Sequence, residues 1–174
     1  MPAISSSDIF AIALREFTPD RVSQAYVAWL NNPQVNQYLE SRFASHSLES
    51  TRAYVARMLE DPNQRMFGIY DGERHIGNIK LGSINRWHLH AEVGLLIAPE
   101  AWGQGVGTKA IALIEKVAFQ EEGLHKLFAG VYAPNEASLK AFFRNGWTLA
   151  GTWRDHARLE TGYFDCHLVE KLHT

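Results

Sequence analysis

The chain has 174 residues, 46% hydrophobic and 21% charged, a composition that suits one folded domain and lies far from that of disordered chains. A net charge of −2 and a pI near 6.4 leave no basic field to hold nucleic acid. A single cysteine, Cys166, excludes an internal disulfide, and no apolar run is long enough to span a bilayer. The opening MPAISSSDIF has neither the basic region nor the apolar stretch of a secretion signal, so a cytoplasmic protein that engages neither membrane nor nucleic acid is expected. No repeat, low-complexity tract or linker interrupts the chain, which is expected to form a single domain over 1–174.

IFAIALREF (9–17) reads as a strand rich in Ile and Phe. A helix follows, with Thr18 as its cap, Pro19 in the first turn, and Val22, Ala25, Tyr26, Trp29 and Leu30 as its apolar stripe, stopped by Pro33. The polar connection PQVNQYLESRFASH leads to a second helix that begins near Ser47. It carries Thr51, Tyr54, Val55, Met58 and Leu59 on one side and ends before Pro62. RMFGIYDGERHIGNIKLGSI (65–84) reads as two strands turning at Asp71-Gly72, and HAEVGLLI (90–97) as a further strand. The next helix places Ala110, Leu113, Ile114, Val117 and Ala118 on one face. KLFAGVY (126–132) is a strand, and NEASLKAFFRNG is a helix with Asn135 as N-cap and Gly146 at its left-handed end. WTLAGTWRD and YFDCHLVEKL close the chain as strands, giving the order β-α-α-β-β-β-α-β-α-β-β of a mixed α/β protein.

Between the strand at 90–97 and its following helix lie Gly103, Gly105 and Gly107. A Walker loop needs Gly-Lys followed by Ser or Thr, whereas Gly107 is followed by Thr108 and then Lys109. A dinucleotide fingerprint fails because Thr108 stands where its third glycine belongs. The physical content survives both failures. Backbone without side chains lets a ligand approach closely, and the helix entrance offers unpaired N–H groups with the positive end of the dipole behind them. That pairing suits an anion such as a pyrophosphate. The alternative is a plain glycine turn joining strand to helix.

AEVGLLIAPEAWGQGVGTKAI, followed by VYAPNEASLKAFFRNGWTLAGTW, resembles the GNAT superfamily of acetyl-CoA-dependent acetyltransferases, and the resemblance spans residues 9–172. Gly105 and Gly107 match the glycines of the family's Gln/Arg-x-x-Gly-x-Gly/Ala motif. Trp102 takes the Gln/Arg position, as in the branch of ribosomal-protein N-terminal, spermidine and nucleotide-amino-sugar acetyltransferases. The resemblance implies a mixed, mostly antiparallel central sheet with one splayed strand pair and flanking helices. It further implies that amides of Gln104, Gly105, Val106, Gly107 and Thr108 hold the pyrophosphate of acetyl-CoA. Leu96 and Ile97 would pair strand-like with the pantetheine, and Asn135 would contact the same arm. Bound in the splay, the pantetheine amides would satisfy main-chain groups that otherwise cost about 1–3 kcal/mol each when buried unpaired.

Acetyl transfer to an amine needs a neutral nucleophile, a polarised thioester carbonyl and a proton for the departing thiolate. Amines of pKa about 10 must first lose a proton. Glu92, on the strand ahead of the thioester position, is the first candidate base; its alternative role is a cross-strand pair with Lys80. His90, two residues earlier on the same strand face, is a candidate relay and acceptor contact, with a structural role as its alternative, and Glu40 is a second candidate base. A main-chain N–H near Ile97 would meet the oxyanion. Many members of the family carry a tyrosine seven residues after the asparagine matching Asn135; Phe142 stands there and has no proton to give. Ser138 matches a serine assigned the donor role in the N-terminal branch, and otherwise supports the helix cap. Without it, water suffices for a thiol of pKa about 8.5.

Acceptor pockets in this branch draw on the region of WLNNPQVNQYLESRF, which is dense in Asn31, Asn32, Asn36, Tyr38, Glu40 and Arg42. Amides and a phenol suit sugar hydroxyls, and Arg42 suits a phosphate, so a nucleotide-linked amino sugar is the favoured acceptor. Trp87, Trp147, Trp153 and Tyr163 are either stacking surfaces or ordinary core and rim aromatics. A protein N-terminus and a polyamine are the alternatives, the latter calling for an acidic cluster that the sequence does not display. A catalytically silent acyl-CoA-binding domain is the non-enzymatic alternative. A homodimer is common in this branch, and the scattered eight histidines with one cysteine form no metal-ligand spacing.

Overall fold

The computed structural model describes residues 11–174; Ile9 and Phe10, which the sequence assigns to the first strand, lie outside the described residues. Seven strands, β1 (Ile12–Glu16), β2 (Arg65–Asp71), β3 (Arg74–Asn85), β4 (His90–Ile97), β5 (Lys126–Tyr132), β6 (Thr148–Leu159) and β7 (Gly162–Leu172), form one sheet in the order β1-β2-β3-β4-β5-β7-β6. Neighbours are antiparallel except β4 and β5, which run parallel and pair only from His90–Glu92 against Lys126–Phe128. A parallel pair needs a long crossover, and α4 (Val106–Lys116) supplies it. The remaining helices are α1 (Gln24–Asn31), α2 (Pro33–Asn36), α3 (Leu48–Glu60) and α5 (Glu136–Arg144). This is the mixed, mostly antiparallel sheet with one splayed pair that the sequence implies.

Side chains alternate across a strand, so consecutive residues of β4 serve opposite cores. Ala91 and Val93 point to the side where α4 buries Val106, Ala110, Ile111 and Ile114, with Leu95 and Ile97 packed at its margin. Leu96 and Ala98 point the other way and join Phe17, Val22, Tyr26, Trp29, Leu30 and Val55 beneath α1 and α3. Each fully buried aliphatic or phenyl side chain contributes about 1.5–3 kcal/mol. The α4 stripe is rotated slightly from the expected one, with Ile111 fully buried and Leu113 only half-buried.

Helix starts differ from expectation where a better cap lies nearby. Thr18 makes no side-chain cap; residues Pro19–Arg21 form a short 3-10 turn, and α1 begins after Ser23, whose hydroxyl accepts from the Tyr26 N–H at 3.2 Å. Val27 is buried in place of the exposed Ala25. Pro33 ends α1 and also opens α2, where a residue lacking N–H costs nothing, with Asn32 accepting from the Gln34 N–H at 2.9 Å. α3 begins after Ser47, which forms a reciprocal cap with Ser50, and buries Thr51, Val55 and Met58 while Tyr54 and Leu59 stay exposed. Asn135 caps α5 as expected, and Gly146 follows that helix at φ +76°.

His75, at the start of β3, stacks on Phe17 at 5.0 Å between centroids and lies 5.1–5.8 Å from the rings of Tyr70, Trp29 and Tyr26. Burial holds its pKa below the ordinary imidazole value, opposed in part by hydrogen bonds to the Gly77 main chain and the Asn78 side chain. The folded state therefore favours neutral His75, while the unfolded chain takes up a proton near the ordinary value of about 6.5. This stabilisation is present above that value and lost as pH falls below it. Urea midpoints measured from pH 7.5 to 5 should fall less steeply for His75→Phe than for the wild type; equal slopes would assign the acid loss to other groups.

Candidate active site

Past Glu92, β4 has no partner on its β5 side among the described residues, and a cleft of about 570 Å³ opens there. Its walls are β4 at Leu95, Leu96 and Ile97, the entrance of α4, the first turns of α5, and α2 with the turn after it. The direction of the main-chain groups follows from one hydrogen bond. Ala98 N–H donates to Ile76 O at 2.9 Å, and alternation then turns the N–H and C=O of Leu96 toward β3. Those of Leu95 and Ile97 face the splay. Leu96 thus lines the cleft with side chain only, and Leu95, which the sequence reading omits, shares with Ile97 the role of unpaired edge. Trp102 Nε1–H donates to Ile97 O at 2.8 Å, so the residue at the Gln/Arg position of the motif occupies one of these acceptors.

The three glycines are not equivalent. Gly103 and Gly105 have φ of +73° and +74°, the left-handed region, and a Cβ on either would meet nothing within 4 Å. Glycine stands there for the backbone turn, which costs other residues about 1–2 kcal/mol. Gly105 is the N-cap of α4 and supplies no side-chain cap, and the first turn carries no acidic residue. The N–H groups of Val106, Gly107 and Thr108 are therefore left open at a helix entrance that lines the cleft. Gly107 differs: a Cβ there would make ordinary contacts of 3.7–4.0 Å with Leu95, Ala141 and Ile97, so the packing of α4 beside α5 does not itself require glycine. The side chain of Gln104 turns back to Glu100 O at 2.9 Å and does not line the cleft.

Across the cleft, Asn135 caps α5 with its Oδ1 accepting from the Ser138 N–H at 3.3 Å, and both residues line the wall. Phe142 is 1% exposed and packs on Trp147 at 4.6 Å between centroids. Its ring belongs to the core, as does Trp147, which is accordingly no stacking surface.

The opposite face of β4 and β5 carries the other candidates. Glu92 is exposed at the last paired position, and the cross-strand pair with Lys80 does not form: the Lys80 chain crosses Gly94 toward Gly82. Phe128, Gly130 and Tyr132 share Glu92's face, as does Cys166, paired with Tyr132 across β5 and β7. The Tyr132 hydroxyl donates to Glu40. Burial pushes the Cys166 thiol up, with the negative charges of Glu92 and Glu40 adding smaller contributions. His90 stacks on His88 and meets Phe128 edge-on at 5.6 Å. Tyr132 is absent from the sequence reading; strand alternation from Phe128 points to it once the β4–β5 register is known.

Of the candidates named in the amide-rich segment, Tyr38 lines the cleft, edge-on to Tyr132 at 6.4 Å, and the neighbouring amides of Gln34 and Gln37, which the sequence reading omits, line it as well. Asn31 donates to Val27 O and His46 O and accepts from the His46 N–H, pinning the segment. Asn36 is buried and donates to Leu30 O at 2.7 Å. Arg42 donates to Leu39 O and Arg158 O and lies over the rings of Phe43 and Tyr132. These three side chains serve the fold of the segment. Trp87 is 94% exposed at the β3–β4 turn, while Trp153 and Tyr163 are exposed on the β6–β7 hairpin. Among the described residues no His, Cys, Asp or Glu cluster converges to hold a metal, and no helix is long and apolar enough to cross a membrane.

A family profile described as an acetyltransferase (GNAT) domain matches residues 12–148. The acetyltransferase PseH of Campylobacter jejuni is 25% identical over 89% of this chain and 96% of its own. The spermidine N(1)-acetyltransferase of Escherichia coli K12 is 30% identical over 76% of this chain and 71% of its own. Among solved structures, a RimL ribosomal L7/L12 alpha-N-protein acetyltransferase in complex with coenzyme A superposes with a TM-score of 0.84 at 19% identity, covering 97% of each chain.

Gly105→Val forces a branched side chain into the left-handed region at the helix entrance. It is expected to weaken binding of acetyl-CoA, the ligand the sequence implies, by about tenfold or more. Calorimetric titration checks this, and wild-type affinity in the variant would remove the anion role from this entrance.

Proposed function

The chain belongs to the GNAT acetyltransferase family, and on that premise we propose that it transfers the acetyl group of acetyl-CoA directly to the primary amine of a small molecule. The observation that carries this reading is the juxtaposition of two main-chain arrays: the splay-facing edge of Leu95 and Ile97, of which Trp102 takes only the Ile97 carbonyl, and the open N–H groups after Gly105. A ligand with amides along one arm and a diphosphate at its end matches both, because the first array takes strand-like hydrogen bonds and the second takes negative charge. Acetyl-CoA has that form.

In this reading Glu92 accepts a proton from the acceptor ammonium, directly or through one water. The neutral nitrogen attacks the thioester carbonyl, and the Ile97 N–H donates to the oxygen as it gains charge. The C–N bond forms, the C–S bond breaks, Ser138 passes a proton to the leaving sulfur, and the surplus proton on the new amide nitrogen leaves through water to restore the serine hydroxyl. Support for Glu92 comes from its exposure at the last paired position before the splay and from its having no ion-pair partner among the described residues. Support for Ser138 comes from its place on the cleft wall.

The acceptor lies on the face of Glu92, Glu40, Tyr132 and Tyr38. Glu92 and Glu40 are both exposed on that face, and their carboxylates suit an ammonium, although Glu40 also pairs with Arg42 at 3.8 Å. A nucleotide-linked amino sugar keeps Tyr38 and the exposed Trp153 as contacts but loses Asn31, Asn36 and Arg42, whose polar atoms are engaged within the protein. The reading therefore rests on a small amine bound on the carboxylate-bearing face. Thiol release from acetyl-CoA across polyamines, amino-sugar nucleotides and N-terminal peptides tests it. Turnover with a small amine is expected; tight acetyl-CoA binding with no acceptor consumed would leave a silent binding domain instead. Glu92→Gln is expected to lower turnover by about a hundredfold or more and to change the shape of its pH profile. A wild-type rate and profile would dismiss Glu92 as base.

A further inference from the structure

We propose that Asn145 is a positioning residue for acetyl-CoA, holding the α4 and α5 walls of the cleft at the spacing the cosubstrate requires; the inference rests on the acetyl-CoA reading of that cleft. Asn145 follows the last residue of α5 and lines neither the cleft nor the acceptor face. Its Nδ2 donates to Thr108 O at 2.9 Å and to Ala141 O at 2.9 Å. One amide group thus spends both of its hydrogens on the two walls. Thr108 lies in the first turn of α4, beside the open N–H groups, and Ala141 of α5 lies next to Gly107 of α4.

Asn145 is itself held rigidly. Its N–H donates to Phe142 O at 2.9 Å, and its carbonyl accepts from Lys171 Nζ at 2.6 Å. Lys171 also pairs with Glu115 at 2.8 Å, and Glu115 accepts from Trp147 Nε1–H at 2.6 Å. α4 is therefore anchored twice: its far half through Glu115 and its entrance through Thr108. Only the second anchor bears on the diphosphate position. Loss of the Asn145 amide frees the entrance to shift against Asn135, Ser138 and Ala141, and small displacements of a positioned ligand weaken its binding and alignment steeply.

Three variants separate positioning from general stability. Asn145→Asp keeps the shape, loses both donors and sets a carboxylate against two carbonyls; Asn145→Ser keeps at most one donor. Trp147→Phe removes the hydrogen bond to Glu115 and leaves the Asn145 amide in place. Calorimetric titration with acetyl-CoA is expected to give a dissociation constant raised about tenfold for Asn145→Asp and by a smaller factor for Asn145→Ser. Trp147→Phe is expected to lower the melting temperature with affinity within about twofold of wild type. With an accepted amine, KM for acetyl-CoA should rise in Asn145→Ser while kcat changes less than about twofold. Wild-type affinity in Asn145→Ser, or an equal loss in Trp147→Phe, overturns the inference. A wild-type protein that does not bind acetyl-CoA overturns the functional reading and this inference with it, whereas wild-type binding with unaffected Asn145 variants overturns this inference alone.

Discussion

Beyond Glu92 and Phe128 two neighbouring strands of a hydrogen-bonded sheet stop pairing, and the main-chain groups of Leu95 and Ile97 lose the partner that a sheet ordinarily supplies. Leaving such groups buried and unpaired costs about 1–3 kcal/mol each, so the gap is stable only where water or a ligand can enter it. The crossover that makes β4 and β5 parallel brings α4 back with its entrance beside that gap. Two unsatisfied arrays, one of strand edge and one of helix N–H groups, meet in a single cleft because one connection creates both.

The two substrates of the proposed reaction meet at these strands. Strand alternation sets Glu92 and Phe128 on the same side of the sheet as Leu96 and Ala98, while α4 packs on the other side against Ala91 and Val93. In that proposal the diphosphate end of the donor lies at the α4 side, the acceptor lies on the side of Glu92, and the two meet where pairing ends. Glu92 stands at that point, the last residue of β4 with a partner on β5. The α4 and α5 walls then have to keep their spacing without any strand between them, and the links through Asn145, Lys171 and Glu115 perform that task from outside the cleft.

Much of this was legible from residue order. The glycine stretch pointed to a helix entrance, the run from Asn135 to Gly146 carried its own cap and stop, and the strand at 90–97 was bounded as found. These are local signals, set by a few neighbouring residues. The helix start at Thr18 was misjudged because Ser23 offered a competing cap, and the short α2 after Pro33 was missed although Asn32 caps it, since propensity alone does not rank such caps. The polar segment was less legible. Asn31, Asn36 and Arg42 read as ligand contacts because amides and guanidinium groups look alike in a sequence whether they face a ligand or a carbonyl of their own chain.

Sequence by itself determined the family, the order of the strands and the glycine turn that opens α4, because each depends on contiguous residues whose backbone requirements travel with them. Tertiary structure alone decided that Leu95 rather than Leu96 presents its main chain to the gap, since strand phase is set by a hydrogen bond to a distant strand. It also decided that Tyr132 and Glu40 meet, and that Asn145 reaches Thr108, contacts between residues far apart in the chain. Pairings of that kind arise from how the sheet and helices close on one another, and no short stretch of residues encodes them.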